Sequence, residues 1–162
     1  MSDYELSAGL RHLVRCTSKL DDVISRVPES AWESPTCCEG WSVRDCASHA
    51  IGVLANFRAR IIGADLVDVN DGSWAGSSPS ESSRYHLARL LEVLPQVKPD
   101  EVFSHPLLGE ISYEDFFGSL AYDPLIHAWD IADGAEIEHC IDEETASEAT
   151  EWSGHLVHNV RS

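Results

Sequence analysis

Basic residues are scarce in this chain: its 162 residues carry 11 Lys and Arg against 28 Asp and Glu, a formal charge of −17. Without a cationic surplus nothing displaces counterions from a phosphate backbone, so nucleic acid is not an expected partner. An anionic membrane surface is disfavoured for the same reason. No apolar run approaches the roughly 20 residues that cross a bilayer, and no cationic start leads into an apolar stretch. The expectation is a soluble, cytoplasmic protein with a solubilising acidic surface.

A disulfide framework is also missing. The cysteines are Cys16, Cys37, Cys38, Cys46 and Cys140, an odd number without a secretory signal. There is no C-x-x-C pair. A Cys/His zinc site on Cys38, Cys46 and His49 is weighed, but the adjacent Cys37 and Cys38 do not easily share one small ion. Buried free thiols are the preferred reading. Internal repeats and a convincing strand order are absent as well.

Helical periodicity is what the chain has. Leu6, Leu10, Leu13, Val14, Thr17, Leu20, Ile24 and Val27 recur at three- and four-residue steps, predicting a helix from Tyr4 to Val27 closed by Pro28. Trp32–Trp41 reads as a connecting loop. Ser42 and Asp45 form a capping pattern for a second helix, with Val43, Cys46, Ala47, Ala50, Leu54, Phe57 and Ile61 inward, that ends near Gly63. A polar Gly/Ser-rich loop leads to a third helix from about Ser80 to Leu94, after which Asp100–Glu110 is extended. Ser112 and Asp115 open a fourth helix from Tyr113 to about Asp133, with Gly134 just past its end. A fifth runs from after Asp142 to about Val160, with Ala146, Ala149, Leu156 and Val160 inward. An all-α bundle forming one domain over residues 1–162 follows.

The chemistry concentrates in His49, on the margin of the second apolar stripe, and in Asp123 and His127. Residues at i and i+4 share a helix face, so Asp123 and His127 point together, and a histidine from a facing helix completes a three-ligand site. Two imidazoles and a carboxylate suit a divalent ion such as zinc and leave a coordination position open. Asp123-Pro124 is equally a good N-cap and N1 pair. Spacing alone leaves ligand and cap level. Trp41 and Trp129 are read as core aromatics, and Asp130 as structural ahead of an outer acceptor. His12, His86, His139, His155 and His158 are expected at exposed or boundary positions. His155 and His158 make a weak rival metal pair.

The stretch from Pro35 through Cys38, Gly40, Trp41, Ser42, Val43 and Asp45 to His49 resembles the signature of mycothiol-dependent maleylpyruvate isomerase-like proteins, within the DinB superfamily of metal-binding bundles. Asp123-Pro-Leu-Ile-His127-Ala-Trp129-Asp130-Ile-Ala132 is similar to the family's second motif. The resemblance implies a four-helix core of DinB-like topology with an additional C-terminal helix, and a divalent metal on His49, Asp123 and His127. The sequence departs from the pattern at Asp123, where Glu is frequent, at Cys37, where Pro is common, and at Pro124. With the chain ending at Ser162, the isomerase's C-terminal domain is not expected, nor is maleylpyruvate activity itself. The leading expectation is a metal-dependent isomerase or thiol transferase acting on a small molecule, with zinc and a thiol such as mycothiol as cofactors. A metal- or ligand-binding protein without turnover, and a metal-free bundle recruited to another biosynthetic reaction, are the alternatives. The substrate and the oligomeric state, including a homodimer, stay open, and no catalytic or cofactor-binding residue is assigned.

Overall fold

Apolar residues at helical spacing fold as helices here because that is the only way each stripe reaches a common core. The computed structural model describes residues 5–160, with side chains to 156. Its helices are α1 (Ala8–Arg26), α2 (Val43–Ile62), α3 (Pro79–Val93), α4 (Tyr113–Leu120), α5 (Tyr122–Gly134) and α6 (Glu143–Val160). α1 and α2 each pack against both α3 and α5, giving a four-helix core, while α6 lies outside on α4 and α1. Leu13, Leu20 and Ile24 of α1, Ile51 and Leu54 of α2, Leu90 of α3, Phe117 of α4 and Ile131 of α5 are fully buried. Burial of each such side chain contributes about 1.5–3 kcal/mol. The fold is the expected all-α, DinB-like bundle. No described helix is long and apolar enough to cross a membrane.

The expected caps form where the sequence puts them. Ser42 Oγ accepts from the Asp45 amide at 3.1 Å while the Asp45 carboxylate accepts from the Ser42 amide at 2.9 Å. Ser112 caps α4 through the Asp115 amide, and Ser78 caps α3 ahead of Pro79. Gly63 ends α2 in the left-handed conformation, φ 69°. The start expected at Tyr4 lies outside the described residues, and α1 begins at Ala8.

Several expectations are corrected. The long fourth helix is two helices that meet at Ala121, because Pro124 has no N–H to offer the Leu120 carbonyl. Ala121 keeps helical dihedrals (φ −60°, ψ −20°), so α5 follows α4 without a non-helical residue between them. Gly134 is the last residue of α5, and the left-handed residue is Glu136 at φ 55°. The Ile137 amide donates to the Ala132 carbonyl and the Glu136 amide to the Asp133 carbonyl, which is a Schellman closure. The extended segment is an antiparallel hairpin of β1 (Val102–His105) and β2 (Gly109–Ser112), paired Val102↔Ser112 to His105↔Gly109. Strands of four residues are too short to leave a period in the sequence.

Side-chain placement departs from expectation too. Ala146 is exposed on α6, and Thr145 and Ala149 face inward. His12 is fully buried, 3.3 Å from the Glu148 carboxylate of α6 and stacked with Trp152. Trp129 is 44% exposed, not a core aromatic. α5 turns its small Ala128 and Ala132 inward instead, which brings α2 close.

Gly134 is needed for that close approach. A Cβ there would stand 2.9 Å from Thr36 Cγ2 and 3.0 Å from both the Pro35 carbonyl oxygen and Val43 Cγ2. Gly134→Ala should therefore destabilise the protein by about 1–3 kcal/mol through overpacking, although Ala is the better helix former. Denaturant unfolding measures this, and a stabilised variant would contradict the packing account.

Candidate metal centre

α2 and α5 present His49 and His127 to each other with ring centroids 4.8 Å apart, and Asp123 stands one turn before His127. One donor atom from each of His49, Asp123 and His127 falls within 4.8 Å of the other two. His127 Nε2 is 3.8 Å from Asp123 Oδ2. The three residues singled out in the sequence are brought together.

Both rings are oriented from behind. His49 Nδ1 is 2.8 Å from Asn70 Oδ1, and His127 Nδ1 is 3.1 Å from Asp130 Oδ2. Donation from each Nδ1–H to its oxygen leaves each Nε2 with a free lone pair, the arrangement typical of metal-bound imidazoles. Trp41 lies against both rings, at 5.0 Å from His49 and 6.3 Å from His127. Asn70 belongs to the α2–α3 loop, which is tied back to α2. The Val67 amide donates to Asn56 Oδ1 at 2.7 Å and the Asn56 amide group donates to the Val67 carbonyl at 3.2 Å.

The profile described as the mycothiol maleylpyruvate isomerase N-terminal domain matches residues 13–132. The chain belongs to this family. No curated protein and no solved structure matches it. The matched span of this N-terminal-domain family holds His49, Asp123 and His127 together with Cys37, Cys38, Cys46 and Asp130, and α6 lies beyond it. DinB-like domains commonly bind metal, and this member carries groups of side chains suited to it.

Asp123 tests whether those residues fit an ion. It is the second residue of α5, behind Ala121 in the cap position, and α5 has no side-chain cap. Its Oδ1 is buried without a hydrogen-bond partner. Burial raises its pKa above the ordinary 3.8; the charges of His127 and His49 oppose that rise and Asp130 adds to it. An orphaned carboxylate oxygen costs about 1–3 kcal/mol or more, and a cation between it and two free imidazole nitrogens removes that cost. The donor set fits a divalent ion of the zinc type.

Asp130 is an acceptor behind His127. It is 5% exposed, and besides His127 its carboxylate accepts from Cys37 Sγ at 3.1 Å and Cys38 Sγ at 3.4 Å. The three-residue offset from His127 was its only sequence signal, and a surface residue shows the same offset. Asn70 left no signal, being a polar residue in a polar loop. Cys38 and Cys46 gather beside His127 and not, as weighed, beside His49. Of the other histidines, His139 accepts from the Ile141 amide through Nδ1, His86 meets Trp74 and Tyr85 edge-on, and His155 is exposed. The side chain of His158 lies outside the described residues, and with it the His155/His158 pair.

A cavity of about 290 Å³ opens on the Asp123 side of His49, walled by Val53, Phe57, Phe116 and Arg60. Arg60 lies over the Phe103 and Phe116 rings at 5.1 and 5.0 Å and has no carboxylate partner among the described residues.

Because the folded-state pKa of Asp123 is raised, the folded state holds more protons than the unfolded one between 3.8 and that raised value. Stability of the metal-free protein therefore falls as pH rises through this window and stays lower above it. Asp123→Asn should remove this component and leave the chelator-treated protein at least as stable at neutral pH. Unfolding curves of both proteins against pH measure the difference. A variant clearly less stable than wild type at neutral pH, or one whose stability keeps the same pH dependence, would contradict it.

Proposed function

We propose that His49 Nε2, Asp123 and His127 Nε2 hold a divalent ion, zinc by donor chemistry, in a thiol-dependent isomerase or S-transferase for a small molecule. The observation that carries this reading is the partnerless, buried Oδ1 of Asp123 beside two imidazoles whose Nδ1 atoms are already engaged. Bound there, the ion supplies Lewis acidity that favours thiolate over thiol, and a thiolate adding to an activated double bond gives isomerisation if it leaves and S-transfer if it stays.

The chain's own residues do the remaining work. Asn70 and Asp130 fix the ring orientations, and Trp41 packs over both rings. Val53, Phe57 and Phe116 line the adjoining cavity with apolar surface and exclude water from an unsaturated substrate body. Arg60 offers its guanidinium to an anionic group at the far end of the substrate. The thiol component rests on the family, whose description names mycothiol.

Elemental analysis after exhaustive dialysis tests the ion. His49→Ala and Asp123→Asn should each lower the retained zinc by one equivalent, and His127→Ala should abolish tight binding, while His139→Ala retains the wild-type content. Equal losses in His139→Ala, or none in the others, would defeat the assignment. Thiol consumption by the zinc-loaded protein with electron-poor alkenes then separates an enzyme from a binding protein: turnover lost in Asp123→Asn supports the reaction class, and full metal occupancy without turnover overturns it.

A further inference from the structure

A second group of metal donors sits behind His127. Cys38 Sγ, Cys46 Sγ and a His127 ring nitrogen lie within 4.8 Å of one another. Asp130 Oδ2 is 3.4 Å from Cys38 Sγ and 3.1 Å from His127 Nδ1, so Nδ1 is the ring atom that faces this side. In a tetrahedral shell with bonds of about 2.0–2.3 Å, neighbouring donors stand roughly 3.3–3.8 Å apart. Asp130 stands at about this spacing from Cys38 and His127, while Cys46 lies within 4.8 Å of Cys38 and His127 and closes on Asp130 only when an ion draws them together.

We propose that Cys38, Cys46, Asp130 and His127 Nδ1 form a second metal site, selective for a thiophilic d10 ion such as zinc or cadmium. Two sulfurs, one nitrogen and one carboxylate oxygen are a donor set that such ions prefer over magnesium or calcium. The donors come from fixed elements. Cys46 lies in the first turn of α2, held by the Ser42/Asp45 capping box. Cys38 sits in a tight turn closed by the Trp41 amide donating to its carbonyl at 3.0 Å, with Gly40 at φ 80°. Asp130 and His127 share one face of α5. Cys37, which is exposed, donates to Asp130 Oδ1 and so keeps Oδ2 turned toward the site.

In metal-free protein both thiols keep their protons, because burial raises their pKa values. The Cys38 thiol is pushed up to about 11, first by burial and then by its sulfur and carboxylate neighbours. Filling the site releases the Cys38 and Cys46 protons, and the Cys38–Asp130 hydrogen bond gives way to two bonds to the ion.

Cadmium titration of the full-length, reduced protein tests this, read by the ultraviolet thiolate-to-cadmium charge-transfer band. The band should saturate at one equivalent and persist in His49→Ala and Asp123→Asn, which empty only the site proposed above. Cys38→Ser and Cys46→Ser should each weaken cadmium binding by more than about 100-fold, beyond the roughly 10–100-fold that loss of an outer partner costs. Cys140→Ser should match wild type. Circular dichroism confirms that each variant keeps its helices, and Cys38, on a loop and half-buried, is the variant that decides if Cys46→Ser unfolds. Absence of the band, its survival in Cys38→Ser, or its loss in His49→Ala would overturn the second site.

Discussion

The close approach of α2 to α5 is the constraint on which the rest of the site depends. Both helices bury small residues, Cys46, Ala47 and Ala50 on one and Ala128 and Ala132 on the other, and the two helices pack directly together. Larger side chains would hold the backbones apart, and the imidazoles of His49 and His127 would not come within 4.8 Å. The segment before α2 is drawn into the same contact. Pro35, Thr36 and Val43 pack where Gly134 has no side chain, and this places Cys37 and Cys38 over Asp130. Helix packing thus sets the distances, and the hydrogen bonds to Asn70 and Asp130 set the orientations.

This packing leaves a carboxylate oxygen unmet at the site. Asp123 lies in the first turn of α5, and its Oδ1 meets no donor. Natural sequences violate local rules mainly where function requires it. A buried carboxylate oxygen without a partner, beside two imidazole nitrogens, is such a violation, and a divalent cation is the simplest group that resolves it. Behind His127 the situation is reversed. Asp130 is fully engaged, by two thiols and an imidazole, and a metal there would exchange protons for an ion without relieving any unmet demand. The two sites therefore differ in their driving force: the first is favoured by desolvation already suffered, the second by the affinity of sulfur for soft ions.

Much of this was legible in the residues. Apolar spacing and the Ser42/Asp45 and Ser112/Asp115 pairs located the helices and several of their starts, because those signals are local. The two motif blocks located His49, Asp123 and His127, and the fold brings them together. What stayed hidden depended on tertiary contacts. Gly134 looked like a helix terminator and is a packing glycine, because only the neighbouring loop reveals the missing space. Trp129 looked like core and is exposed, because inward positions on α5 went to alanine. Asn70 and the gathering of Cys38 and Cys46 on His127 come from loops whose paths have no periodicity. The cap reading of Asp123 was settled locally: Ala121 keeps helical dihedrals, so no new helix starts at Pro124.

The central claim is that one ion joins α2 to α5 through His49, Asp123 and His127. A crystal structure of the zinc-saturated protein, with anomalous differences collected across the zinc edge, tests it most directly. The account predicts a peak within about 2.0–2.2 Å of His49 Nε2, an Asp123 carboxylate oxygen and His127 Nε2. A saturated crystal with no peak between these residues, or with Asp123 turned away from it, would contradict the account.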